Sequence, residues 1–181
     1  MIPDGRYVPQ VAGRRIARTA LPAFLVLVGA LCASWARAGE PGRVTGTLTV
    51  DGVSTTLTHV YAYQRSGHFD PGQLDAVVIL CDRELPAAAV TDPSERLKLE
   101  KAGNLRAMEL TISHEGKLTT VKVRHPAFGH GPSGNSTRYR LTLDRYNEIG
   151  LAGRLTCDGE RKEKGIGFTF AAEFAADYRP E

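Results

Sequence analysis

Five histidines, His59, His68, His114, His125 and His130, carry the widest chemical range in this chain. Three imidazoles converging at about 2.0–2.1 Å on one ion would make a zinc or copper site. His125 and His130 flank one loop rich in glycine and proline, and His59 shares a strand face with Tyr61 and Tyr63. His59, His125 and His130 are therefore the candidate ligands, the loop pair first. Neither an H-x-E-x-x-H-like spacing nor C-x-x-C occurs, so no metal site is expected from spacing alone. The run Gly129-His130-Gly131-Pro132-Ser133-Gly134 matches G-x-G-x-x-G by letters. Dinucleotide binding needs that loop to open a helix whose N-terminus holds the pyrophosphate. Its neighbours here read as strands, so no cofactor is expected. Ser133 lies near His130 but lacks the G-x-S-x-G elbow of a serine nucleophile. No carboxylate pair stands out for acid–base work, and no catalytic residue is assigned.

The first 38 residues read as an export signal. Arg14, Arg15 and Arg18 precede an apolar run, Ala20 to Ala33, and Ala36-Arg37-Ala38 follows. Those are the positive, apolar and cleavage regions of a secretory leader. The run is 14 residues, short of the ~20 that span a bilayer. Arg14-Arg15 also opens a twin-arginine reading, which Ile16-Ala17-Arg18 fits poorly. Cys32 follows Leu31 rather than a small residue, against lipid attachment. Residues 39–181 then form a single exported domain, periplasmic or secreted and bacterial in style, with no stable membrane insertion once the leader is gone.

Charge follows from that boundary. The whole chain has 23 basic and 20 acidic side chains. The leader holds five arginines and one aspartate, which leaves 18 and 19 in the domain. A surface that balanced offers nothing to nucleic acid or anionic lipid. The longest basic cluster, Arg161-Lys162-Glu163-Lys164, reads as a solvated turn between strands. Asn135-Ser136-Thr137 has the letters of a glycosylation sequon. Two cysteines remain, Cys81 and Cys157, each on an apolar segment. In an oxidising compartment the expected state is a Cys81–Cys157 disulfide, with buried free thiols as the alternative. The bridge would close a loop of about 75 residues, worth roughly 4 kcal/mol in the loop-entropy model.

Period-two alternation dominates from Val44 onward. Val44, Gly46, Leu48 and Val50 share a face. Asp51-Gly52 is a favoured type I′ hairpin turn. The return strand is expected to run through Tyr63 with Val53, Thr55, Leu57, His59, Tyr61 and Tyr63 together. Ala76 to Cys81 does not alternate and reads as a strand buried on both faces. Residues 92–102 are the one helix candidate, with Asp92 as cap, Pro93 at the first position and Gly103 as terminator. Leu97 and Leu99 give it a narrow apolar stripe, so a short surface helix is expected. Alternation resumes in Met108–Ile112, Val121–Val123, Tyr139–Leu143 and Ile149–Cys157. Phe168, Phe170, Ala172, Phe174, Ala176 and Tyr178 then point one way. About eight strands at this spacing imply an all-β fold, either an antiparallel β-sandwich or a closed β-barrel.

The stretch Gly46-Thr47-Leu48-Thr49-Val50-Asp51-Gly52, with Leu57-Thr58-His59-Val60-Tyr61-Ala62 and then Val77-Val78-Ile79-Leu80, resembles a group of exported bacterial proteins of unknown function. They share a G-x-L-T-V-D-G…L-x-H-x-Y-A opening hairpin. The resemblance covers about a quarter of the chain and implies a β-rich exported domain, with His59 and Tyr61 sharing a role. The reading that follows is a non-catalytic binding or interaction module with an unidentified protein or small-molecule partner. Its alternatives are a carrier whose cavity is lined by Tyr61, Tyr63, Phe168, Phe170 and Phe174, and a metalloprotein or enzyme centred on His59, His125 and His130.

Overall fold

Strand β1 (Arg43–Val50) turns at Asp51-Gly52 into β2 (Val53–Leu57). Both turn residues have positive φ, 51° and 77°, as a type I′ turn requires. A computed structural model describes residues 42–129 and 131–178, and the expected export signal, residues 1–38, lies outside the described residues. The return strand does not continue to Tyr63 in one sheet. At Thr58 the chain leaves the first sheet, and the Thr58 amide donates to the Cys81 carbonyl at 2.8 Å. Strand β3 (His59–Ser66) then belongs to a second sheet with β4 (Leu74–Cys81), β5 (Ala107–Ile112), β6 (Leu118–Arg124) and the two-residue β7 (Ser133–Gly134). The crossing shifts the alternation by one. Leu57, Val60 and Ala62 face the core together, while Tyr61 and Tyr63 face away from it.

The chain returns to the first sheet with β8 (Tyr139–Tyr146), β9 (Gly150–Cys157), β10 (Arg161–Glu163) and β11 (Ile166–Asp177). The first sheet runs β2-β1-β11-β9-β8 with β10 beside β11, and the second runs β3-β4-β5-β6-β7. All the pairings within the two sheets are antiparallel. Two open sheets stacked face to face make a sandwich, so the barrel alternative falls. Eleven strands are described rather than about eight, because the return strand divides into β2 and β3 and the short β7 and β10 carry no alternation of their own. The basic cluster is strand β10, and the turn beside it is Lys164-Gly165, again with positive φ.

Phe168, Phe170 and Phe174 fill the space between the sheets with Leu48, Leu110 and Leu155. Phe128 from the 3-10 turn Pro126–Phe128 closes one side, its ring edge-on to Phe168 at 5.8 Å. Ile149 does not join them: it sits in the β8–β9 turn and is 67% exposed. Gly46 of β1 lies opposite Ala172 of β11 and Leu57 of β2. A Cβ there would meet the Ala171 carbonyl oxygen, so only glycine fits.

The second sheet is covered on its outer face as well. Helix α1 (Ala87–Thr91), absent from the sequence reading, precedes α2 (Pro93–Lys101), which lies where the capping signals place it. Asp92 accepts from the Ser94 amide at 2.7 Å, and Gly103 follows with φ 77°. Tyr61, Tyr63, Val77, Ile79, Leu85, Ala89 and Val90 form a second apolar cluster beneath the helices. That is why β4 is apolar on both faces: Val78 and Leu80 point into the sandwich, Val77 and Ile79 toward the helices. Among the described residues, no helix is long and apolar enough to cross a membrane.

Candidate functional site

The densest set of ionisable side chains lies between α2 and the outer face of the second sheet. Alternation in β5 sends Met108, Leu110 and Ile112 into the sandwich and Glu109 outward. Helix α2 turns Arg96 and Glu100, one turn apart, onto the same sheet face. Arg124 at the end of β6 completes the group. Arg96, Glu100 and Arg124 are at most 1% exposed and the Glu109 side chain 11%.

The contacts are reciprocal. Glu109 Oε2 accepts from Arg96 Nε at 3.1 Å and from Arg124 Nε at 2.9 Å. Arg124 Nη1 donates to Glu100 Oε2 at 3.3 Å, and Glu100 Oε1 accepts the His125 amide at 3.3 Å. Arg124 Nη2 stands 2.9 Å from Glu109 Oε2 in an ion pair, but outside hydrogen-bond geometry. Arg96 Nη1 donates to the carbonyls of Ala89 and Val90, at 2.8 and 2.7 Å, and Nη2 approaches the Tyr63 hydroxyl at 3.4 Å. One guanidinium thus joins α1, α2, β3 and β5. Burial pushes the Glu109 carboxyl up, but the Arg96 and Arg124 charges together outweigh it and hold it below the usual glutamate range. Two cations meet two anions, so the group is neutral and its hydrogen bonds turn inward. It is the arrangement of a structural ion network, not of an acid or base poised for neutral pH.

Of the candidate metal ligands, the two described, His59 and His125, are not brought together. His59, Cys81, Ala107 and Arg124 form one row across β3 to β6. His125 follows Arg124, so His59 and His125 are about three strand spacings, ~14 Å, apart. His59 Nδ1 shares a hydrogen bond with the Thr58 hydroxyl at 2.9 Å, and His125 Nδ1 accepts the Ala127 amide at 3.2 Å. Burial, then the nearby Arg106 charge, lowers the His125 pKa against the pull of Asp82. His130 lies outside the described residues. Among the described residues no group of three or more metal-ligating side chains forms.

Comparison of the chain with protein-family models, with curated proteins and with solved structures found no match in any of the three.

The cysteines correct the expected disulfide. Both are free thiols. Cys81 points from the second sheet toward the helices, and Cys157 packs at the rim of the sandwich on the first sheet. A layer of structure separates them. The Cys81 thiol donates to the Arg83 carbonyl at 3.2 Å, and the Cys157 thiol to the Gly159 carbonyl at 3.2 Å. The carrier grouping fails for the same reason. Phe168, Phe170 and Phe174 line the sandwich interior, whereas Tyr61 and Tyr63 lie on the far side of the second sheet, so the five share no cavity. The glycine-rich loop opens β7, not a helix: Ser133 and Gly134 pair with Lys122 and Val121. Asn135 of the sequon donates its side-chain amide to the Leu118 carbonyl at 2.7 Å.

A feature missed in the sequence is the exposed Phe69 on the β3–β4 loop. Gly67 and Gln73 close it with an amide–carbonyl bond at 2.8 Å, and the Gln73 amide returns to the Asp70 carbonyl at 3.0 Å. Asp70 Oδ1 accepts the Gly72 amide, and the Ser66 hydroxyl donates to the Pro71 carbonyl. Buried Asp75 accepts the His68 amide at 3.1 Å. On this tied loop Phe69 is 81% exposed, its ring edge-on to His68 at 4.9 Å. Leu74, at the start of β4, is also exposed. The signal available in the sequence was an aromatic among Gly67, Asp70, Pro71 and Gly72, residues that otherwise read as a solvated turn.

Proposed function

We propose that this chain is an exported, non-catalytic interaction module whose contact element is the β3–β4 loop. The observation that carries the reading is Phe69, 81% exposed at the tip of a loop fixed by its own hydrogen bonds. An aromatic held in place before binding loses little freedom on contact, which is what a binding anchor requires. The buried charges support the same reading, because they are spent on holding α1 and α2 to the sheet. Export rests on the leader-like residues 1–38 and on the resemblance of the opening hairpin to exported bacterial proteins. A protein surface with an apolar pocket is the partner such an anchor fits.

The test places a photoreactive phenylalanine analogue at position 69 in intact cells, with position 98 on the exposed side of α2 as comparison. A discrete cross-linked protein at 69 and none at 98 is expected. In a pull-down with the chain free of cross-linker, Phe69→Ala should lower recovery of that protein at least tenfold while moving stability by no more than about 0.5 kcal/mol, the usual range for a surface change. No adduct at 69, or the same adducts at both positions, contradicts the reading.

A further inference from the structure

Exposed sheet edges template pairing with other chains, and proteins block them with charge, proline, bulges or cover. Among the described residues, four of the five edges here carry such a device, β10 being three charged residues, Arg161-Lys162-Glu163. Strand β8 has Arg140, Asp144 and Arg145 and an irregular register between Leu143 and Arg145. Strand β3 is bridged at Ala62 by Tyr178. Strand β7 is two residues long and follows Pro132. Strand β2, Val53-Ser54-Thr55-Thr56-Leu57, has none: no charge, no proline, and a regular ladder to β1.

We propose that β2 pairs with β2 of a second copy, antiparallel and centred on Thr55, joining two first sheets into one. The hairpin geometry fixes the register. Val50 and Val53 flank a two-residue turn and bond each other, so Val53, Thr55 and Leu57 turn their backbone groups toward β1. The N–H and C=O of Ser54 and Thr56 therefore face outward. A two-fold through Thr55 sets Ser54 opposite Thr56 of the other copy and satisfies every one of those groups. It also lays Val53 beside Leu57 of the other copy. Val53 is on the core-facing side of β2 yet 67% exposed, and pairing covers it. The hydroxyl face continues across the join, since Thr49 and Ser54 already share a hydrogen bond at 2.8 Å. A second copy fits better than a foreign peptide because the edge offers only two outward residues, related to each other by that two-fold. So short an edge buries well under the ~1,000 Å² of a stable interface, so the dimer is weak.

The full chain, expressed and purified, is examined by sedimentation equilibrium up to about 1 mM, the range for so small an interface. Mass rising from monomer toward dimer is expected. Ser54→Pro removes an outward N–H without touching the β1 ladder, and should weaken association at least tenfold with unchanged thermal unfolding. Thr56→Lys, which needs no backbone change, should do the same. Thr55→Cys should cross-link copies through position 55 on mild oxidation, because those residues stand directly opposite. Thr56→Cys, opposite Ser54, should not. A monomer throughout the range, association indifferent to both blocking variants, or no preference for position 55 overturns the proposal.

Discussion

Replacing Arg96 by methionine is expected to lower the unfolding free energy by about 3–5 kcal/mol, the cost of leaving a buried partner charge uncompensated. Glu109 would keep one guanidinium where it has two. The carbonyls of Ala89 and Val90, at the end of α1, would lose their donor in a place water does not reach. Lysine at 96 keeps the charge but not the planar fork, so it should recover only part of the loss. Urea unfolding measures all three proteins. A loss under about 1 kcal/mol for the methionine variant would mean that solvent already satisfies the network.

The same group sets an acid limit. The folded-state pKa of Glu109 is depressed, so its contribution is complete above the ordinary glutamate range and is lost as pH falls through the lower folded value. Urea midpoints should therefore hold steady from about pH 6 to the top of that range and fall below it. Glu109→Gln, measured alongside, should start lower and show a shallower decline. Equal slopes for the two proteins would assign acid sensitivity to other carboxylates.

What the sequence made legible follows from how local each signal is. The Asp51-Gly52 turn, the Asp92 cap and the alternation of Phe168, Phe170 and Phe174 depend on neighbours a few residues away, and all three stand as read. The doubly buried β4 was also legible, and it carried an unused implication: a strand apolar on both sides needs a layer on each. The helix candidate was the available cover. The partners of its charged positions 96 and 100, Glu109 and Arg124, are supplied from β5 and β6, beyond any local window. A narrow apolar stripe on a helix that must nonetheless be packed was the sign that charge pairs did the packing. The crossing at Thr58 was hidden because alternation continues through it, although the face that meets the core changes. The disulfide was inferred from compartment and parity, and neither knows which layer a side chain enters.

The Cys81 thiol should stay unmodified in the folded protein under conditions that alkylate a free cysteine within minutes. Burial pushes its pKa up to about 12, against the weaker lowering by a hydrogen bond with the Arg83 backbone. At neutral pH its reactive thiolate is then roughly a thousandfold scarcer than in an ordinary cysteine. The helices restrict access further, since Cys81 is fully buried beneath them. Cys157 is half-buried and raised by burial to a lesser degree, so it should react first, and slowly. Unfolding without reductant should expose both to stoichiometric labelling, read by peptide mass mapping. The thiol would persist even in an oxidising compartment, because exchange needs a thiolate and an approach path, and Cys81 lacks both. A peptide linking residues 81 and 157 would require one strand to turn its side chains through the sheet. That finding would overturn not only the thiol state but the placement of β4 between two layers.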